Sequence, residues 1–500
     1  MTAPSRRTLL TLGLGAALPS SAPRAAATAG PDWTGLATAL RGELLRPAAP
    51  GYDAARLPRN LRFADAARPE AVARCADAAD VAECLRFSRR HGLRPAVRSG
   101  GHCYGGWSSD APLVIDLAAL DSVRVTEGQA ELGPGTPLMT VYAALARHGV
   151  TIPAGSCPTV GLAGLALGGG HGVTSRAYGL TCDSLLSAEV VLADGRTVRC
   201  DPDHEPELFW ALRGGGNGNF GIVTSLRLRT HPAPDCTVFQ YSWDWPEAGR
   251  ALAEWQRWAY AAPDRLWSNF HVWTRPDGPS VDAGGILLGP AEELRQLTAP
   301  LLARTGRTTS ERVVTRPYLD TMLAYAGCST DPTPAGPTPA DGDPADRIPT
   351  ARECLDQERR AFAAASHFFD DFLPDRALTE LRRFAERRDS VEASISFTAL
   401  GGAVNRVPAA DTAFRHRSSV LLAQLIAEWP ADADPAPRLR WVADARTALA
   451  PYANGHAYQN YRDPTLTDWR IAYYGEHLPR LRAVKAAYDP DRTFDFPQAV

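Results

Sequence analysis

The sequence predicts an α+β protein in three parts: a ligand-binding domain over 57–232, an inserted α+β domain over 233–455, and a segment, 456–500, that returns to the first domain. Three observations carry this expectation. Up to Pro232, short strand-like runs alternate with helix-like ones and are broken by three glycine clusters. Beyond Pro232 the chain turns rich in tryptophan and helical periodicity. From Tyr458 onward, aromatic residues and arginines surround a single helix that has no core of its own.

At 500 residues the chain exceeds one compact core, and roughly 100–200 residues per domain gives two or three. A hydrophobic share of 45%, a charged share of 22% and a net charge of -3 are ordinary for a soluble protein and argue against nucleic acid as a partner. The chain opens with Ser5-Arg6-Arg7-Thr8-Leu9-Leu10, an apolar run to Leu18 and small residues at Ala25-Ala26-Ala27. Residues 1–30 thus resemble a twin-arginine export signal, with a disordered basic tail as the competing reading. The apolar run is about half of the ~20 residues a bilayer needs, so no stable membrane association is expected after export.

From about Glu70 a strand, a helix and a second strand follow. Val81, Cys84, Leu85 and Ser88 share one helix face, Asp77 caps its start and Gly92 ends it. Leu93 to Val97 reads as a strand running into the first glycine cluster, Arg98 to Gly106. Strands are expected at Leu113–Leu117, Ser122–Val125 and Gln129–Leu132, and a helix at Leu138–Arg147. The second cluster spans Gly155 to Gly172, and the third, Arg213 to Gly221, leads into a strand from Ile222 to Leu228. Three such clusters imply three backbone segments meeting one bulky ligand. In the inserted domain, strands are expected at Gly285–Leu288 and Ala393–Thr398, and residues 331–349, dense in Pro, Asp and Gly, read as a flexible surface insertion. A final helix is expected over Leu478–Tyr488.

None of the clusters is a G-x-x-x-x-G-K-[ST] phosphate loop or a clean G-x-G-x-x-G opening a helix. Successive amides in glycine-rich turns still make an anion-binding concavity, and a dinucleotide pyrophosphate fits it. Nine cysteines lack C-x-x-C spacing, so no metal site is expected, and an odd count leaves at least one outside intramolecular disulfides.

Arg98-Ser99-Gly100-Gly101-His102 resembles the pyrophosphate loop of the vanillyl-alcohol-oxidase (PCMH-type FAD-binding) flavoproteins. Gly155-Ser156-Cys157-Pro158-Thr159-Val160-Gly161 resembles their second attachment loop. Tyr458-Gln459-Asn460-Tyr461-Arg462-Asp463, with the tail that follows, resembles the berberine-bridge-enzyme-like and oligosaccharide-oxidase-like members. The resemblance implies an FAD-binding domain of two α/β subdomains, with FAD bonded through its 8α position to His102 and through C6 to Cys157. It also implies cofactor contacts from Arg98, Ser99, Gly100, Gly101 and Cys103, and from Gly155, Val160 and Gly161. Further contacts are implied for Gly168, Gly169 and Gly172, for Gly221 and Ile222, and for Tyr458 and Asn460.

The same resemblance makes Tyr461 the base that takes a substrate hydroxyl proton, with Tyr458 nearby; the competing reading is that both are wall residues. An unperturbed tyrosine is about 0.1% ionised at pH 7, so a cation such as Arg462 or Arg470, or hydrogen bonds to the phenolate, must depress its pKa. Val160 matches the position where valine goes with oxygen access. His171 and Arg176 to Leu180 look like further cofactor wall. Thr398 and Leu400 stand where some relatives carry a tyrosine or aspartate, which favours a single two-electron oxidation. The expected activity is that of a secreted FAD-linked oxidase acting with dioxygen on a hydroxyl of a sugar or of a glycosylated or polyketide-type natural product, releasing hydrogen peroxide. A flavin dehydrogenase with another acceptor and an inactive carbohydrate-binding relative are the alternatives.

Overall fold

The computed structural model describes residues 30–328, 354–356, 359–387 and 391–500. The expected insertion 331–349, and the expected export signal up to residue 29, lie outside the described residues.

Near the N-terminus a four-stranded sheet runs in the order Glu43–Leu45, Ala71–Arg74, Leu113–Asp116, Pro95–Arg98. Ala78–His91 is the crossover helix between two of these strands. Asp77 accepts from the amides of Ala79 and Asp80 at its start, a cap contributing about 1 kcal/mol. Gly92, with φ +63°, takes the left-handed turn that ends it. Val81, Cys84, Leu85 and Ser88 are all buried, as their spacing predicts. Pro95–Arg98 is the edge strand, so the chain leaves the sheet straight into the first glycine cluster with no strand beyond to cover it.

A five-stranded antiparallel sheet follows, in the order Val123–Thr126, Gln129–Leu132, Ile222–Arg229, Leu185–Val191, Thr197–Cys200. It carries the second and third glycine clusters on its connections. Leu132, Leu138, Leu162, Leu212 and Phe220 share one core with Tyr473, Leu481 and Val484 of the C-terminal segment. The segment is stitched down by polar contacts as well: buried Lys485 Nζ donates at 2.7 Å to Asn219 O, Phe494 O and Asp489 Oδ2. Each proton of the ammonium thereby finds an acceptor, which is the condition for burying it.

The largest sheet has seven antiparallel strands and covers residues 236–429. Its faces differ because strand residues alternate. Along Leu266–Thr274, Phe270 and Val272 are buried in the core shared with helices Ala248–Ala261 and Asp375–Ala385. Asn269 and His271, between them, face the other way into a cavity. Cys328 and Cys354 form a disulfide at the two ends of the segment left undescribed, while the other seven cysteines are free thiols. Among the described residues no helix is long and apolar enough to cross a membrane, and no group of three metal-ligating side chains occurs.

Candidate active site

One cavity of about 670 Å³ lies between the glycine loops and the polar face of the seven-stranded sheet. All three clusters reach it, through Gly100 and Gly101, through Gly155, Gly161 and Gly172, and through Gly218 and Gly221. The first two loops interlock closely: a Cβ on Gly100 would stand 2.2 Å from the Gly161 amide nitrogen, and one on Gly161 would stand 1.9 Å from Ser99 Oγ. Only glycine permits that approach.

Ser99, His102, Cys103, Cys157, Val160 and Ile222 line the cavity, as do Tyr458, Asn460 and Tyr461 from the tail. Arg98, Gly168 and Gly169 do not. Arg98 stands opposite Asp116 in the parallel register, and its guanidinium bonds to that carboxylate at 2.7 Å, both groups buried. Its charge is therefore spent inside the sheet. Gly168 and Gly169 stand behind the wall, where a Cβ would meet Asn460 and Phe414.

His102 and Cys157 come from loops 55 residues apart and open into the same cavity. Burial, with the nearby charges of Arg59 and Arg359, lowers the His102 pKa to about 3, so the ring is neutral at pH 7. Cys157 is a free thiol accessible from the cavity. Its dense surroundings and Glu428 push the thiol pKa up, and Arg59 opposes them.

At the tail, Tyr461 Oη lies 2.6 Å from Nε2 of His171. Burial and the neighbouring Tyr104, Tyr458 and Cys157 hold the phenol well above its ordinary pKa. The cations expected to depress it are engaged elsewhere. Arg462 donates to Gln498 O and stacks over Phe496, 5.1 Å from its ring centroid, and Arg470 lies over Trp469. What Tyr461 has in their place is a ring nitrogen within hydrogen-bonding distance. Burial lowers the His171 pKa to about 4, so the imidazole is neutral at pH 7, and in the tautomer with its proton on Nδ1 the Nε2 lone pair can accept the phenol proton.

Tyr458 is more confined. Its hydroxyl accepts from the Gly170 amide at 2.8 Å and from Asn460 Nδ2 at 2.9 Å, and burial raises its pKa. The geometry makes it a wall residue that fixes the glycine loop. Tyr104 and Gln424 complete the surroundings of Tyr461: Tyr104 stacks on it at 5.5 Å between centroids, and Gln424 Nε2 donates to Tyr104 Oη at 2.9 Å. Arg176, expected in the cofactor wall, is buried elsewhere. Its guanidinium donates to the carbonyls of Leu266, Leu400, Tyr260 and Ala262 and clamps the second glycine region to the seven-stranded domain.

The FAD binding domain family matches residues 69–201, and the berberine and berberine-like family matches residues 457–500. An uncharacterised FAD-linked oxidoreductase, YgaK, of Bacillus subtilis (strain 168) is 32% identical over 472 residues, 93% of this chain and 97% of its own. This chain belongs to the berberine-bridge-enzyme-like FAD-linked oxidoreductases. Chitooligosaccharide oxidase of Gibberella zeae is 30% identical over 458 residues, 86% of this chain and 87% of that one. A solved structure of a chitooligosaccharide oxidase superposes with a TM-score of 0.82 at 26% identity, covering 93% of this chain and 98% of that one.

The lining fits the cofactor of these FAD-linked oxidoreductases. Buried polar atoms on it that lack a hydrogen-bond partner include His171 Nδ1, Ser108 Oγ, Asn217 Oδ1 and Gln459 Oε1. Buried polar atoms without partners cost about 1–3 kcal/mol each, a cost that a polar ligand in the cavity relieves. The interlocked glycine loops add backbone that can approach a pyrophosphate closely.

Proposed function

We propose that this enzyme is a secreted oxidase, carrying FAD bonded to His102 and Cys157, that oxidises a hydroxyl of a sugar or glycosylated natural product with dioxygen and releases hydrogen peroxide. The observation that carries the reading is the 2.6 Å contact between Tyr461 and a neutral His171, in the cavity that both attachment residues line. When bound, FAD supplies the acceptor for the substrate's hydride and hands the electrons to dioxygen.

Alcohol oxidation also releases a hydroxyl proton, and the protein must receive it. Ionising an unperturbed phenol at pH 7 already costs roughly 4 kcal/mol, and burial raises that cost for Tyr461. Tyr461 itself stays neutral by passing its own proton to His171 as it takes the substrate's, and the cost moves to the imidazole, about 4 kcal/mol at pH 7 for a pKa near 4. The base is thus the pair, and its two members must move their protons together. Tyr104, held by Gln424, packs Tyr461 against translation across the cavity.

Asn269, His271, Ser394, Ser396, Thr398 and Gln424 line the cavity from the sheet. Such a row of hydrogen-bonding groups suits a polyhydroxylated substrate, as does the likeness to chitooligosaccharide oxidase. Val160 on the lining supports dioxygen as acceptor. Leu400 is buried and Thr398 is the hydroxyl facing the cavity, which supports a single two-electron oxidation. The paired Arg6-Arg7 supports twin-arginine export.

The test is mass spectrometry of the acid-denatured protein and its peptides, followed by peroxide release in air against sugars and glycosides. One FAD on both the His102 and Cys157 peptides, with peroxide from a hydroxylated substrate, is expected. A colourless protein of bare polypeptide mass would end the reading. Export is checked separately, by replacing Arg6 and Arg7 with lysine and following loss of the protein from the medium.

A further inference from the structure

We propose that residues 494–496 form a strap that closes the adenosine end of the dinucleotide cavity, with Lys485 as the positioning residue that clips it in place. The inference rests on the reading above, which puts the reacting ring of FAD beside Tyr461, and adds which part of the chain shuts the opposite end.

The cavity has two unlike ends. At one, Tyr461 stacks on Tyr104, which Gln424 of the seven-stranded sheet holds, so the reacting ring belongs there. The other is lined by residues 94–97, 221–223 and the strap. Here Phe494 packs into the core of the four-stranded sheet with Ile115, Leu117 and Ile222. A dinucleotide whose ring lies at the first end has its adenosine at the second, where Trp107 and Phe496 supply aromatic surface suited to a purine.

The strap belongs to no helix or strand, so side-chain bonds must hold it. Lys485 Nζ donates at 2.7 Å to Phe494 O in the strap, to Asn219 O in the third glycine cluster and to Asp489 Oδ2. Asp489 in turn accepts from the amides of Thr493 and Phe494, at 2.7 and 2.9 Å. Beyond the clip, Arg94 Nη1 donates to Asp495 O at 3.3 Å, and Phe496 stacks on Trp107 with centroids 5.7 Å apart.

Lys485 is the only lysine among the chain's 53 lysines and arginines. Its three acceptors converge on one point, which suits an ammonium with three donors on a single nitrogen; a guanidinium spreads its donors over a plane. Without the ammonium, the strap loses its bond to the glycine cluster that lines the cavity opposite it. Loosening the strap uncovers the pyrophosphate and adenosine and leaves the surroundings of the reacting ring, at the far end, as they are.

The test incubates the purified holoenzyme with a phosphodiesterase that hydrolyses FAD between its two phosphates to FMN and AMP. Chromatography measures the AMP released, and the flavin absorption spectrum reports on the ring. The wild type is expected to resist. Lys485→Met and Phe496→Ala should release AMP at least tenfold faster with an unchanged starting spectrum, and Phe496→Tyr, which keeps the ring, should match the wild type. Phe496→Ala leaves the clip intact and so reads the strap by itself. Where Lys485→Met does not fold, Lys485→Arg, which keeps the charge and spreads the donors, replaces it with the same expectation.

Release at the wild-type rate in Phe496→Ala or in the folded Lys485 variant overturns the proposal, as does rapid release from the wild type. A starting spectrum that is altered in the variants also overturns it, because it assigns these residues to the fold as a whole. A wild type that carries no flavin overturns the cofactor reading itself, and the wild-type spectrum distinguishes that failure from the others.

Discussion

Acidification separates the Tyr461–His171 pair from an ordinary histidine base. The pair works only while Nε2 of His171 can receive a proton, so its rate follows the neutral imidazole. Burial lowers the pKa of that imidazole to about 4. At about pH 5, a group with a pKa near 4 is about 90% neutral, whereas an unperturbed histidine near 6.5 is about 3% neutral. The two cases differ roughly 30-fold in rate at that pH, relative to the plateau at neutrality. The sign is fixed: activity is present above the pKa and lost as pH falls through it. The assay is stopped-flow bleaching of the flavin by substrate under anaerobic conditions, which isolates substrate oxidation from reaction with dioxygen. Circular dichroism at each pH checks that the protein stays folded. An acid limb near pH 6.5 in the folded enzyme would refute the argument, because it would mean that His171 is solvated like a free imidazole. Tyr461→Phe should remove the limb along with most of the rate.

That substitution is expected to lower kcat by about 10²–10⁴, the range for loss of a positioned base, with flavin content unchanged; absorbance and steady-state peroxide release measure both. Gly100→Ala puts a Cβ 2.2 Å from the Gly161 nitrogen, so the two loops must part. Purified Gly100→Ala should carry less than about a tenth of the wild-type flavin on loop-strain grounds, and full occupancy in its visible spectrum would count against the interlock. Arg176→Met leaves buried carbonyls without a donor and should cost on the order of 2–4 kcal/mol, read as a lower thermal midpoint. Folded-state pKa values of His171 and His416 are both depressed by burial, so the unfolded chain binds more protons below about pH 6.5. Stability is expected to be full above that value and to decline as pH falls from there towards about 4, by thermal melts across a pH series.

Much of the fold is local in origin, and so it was legible. Asp77 and Gly92 bracket a helix whose buried face has the 3.6-residue period, and the structure has it at Ala78–His91. The strands Gln129–Leu132 and the helix Leu478–Tyr488 have the bounds expected of them. The glycine clusters were informative for the same reason: a glycine run after a strand marks backbone that something must approach closely. The motif Tyr458 to Asp463 likewise carried the family in a short stretch of chain, and the family matches at both ends of the chain agree with it.

Residues whose roles depend on remote partners were not legible. Arg98 sits in a motif suggestive of phosphate binding, but its partner is Asp116 on the neighbouring strand, which only the parallel register supplies. Arg462 follows Tyr461 directly in sequence, yet its side chain stacks on Phe496 and leaves the phenol to His171, 290 residues away in the chain. Gln424 is one polar residue in an alternating strand, and nothing local distinguishes it from its neighbours until the sheet turns that face towards Tyr104. The sequence by itself thus determined the elements, the glycine loops and the family, because those follow from spacing along the chain. Tertiary structure alone decided which charges meet and which imidazole the phenol finds, because hydrogen bonding and desolvation act over a few ångströms of space, irrespective of sequence distance.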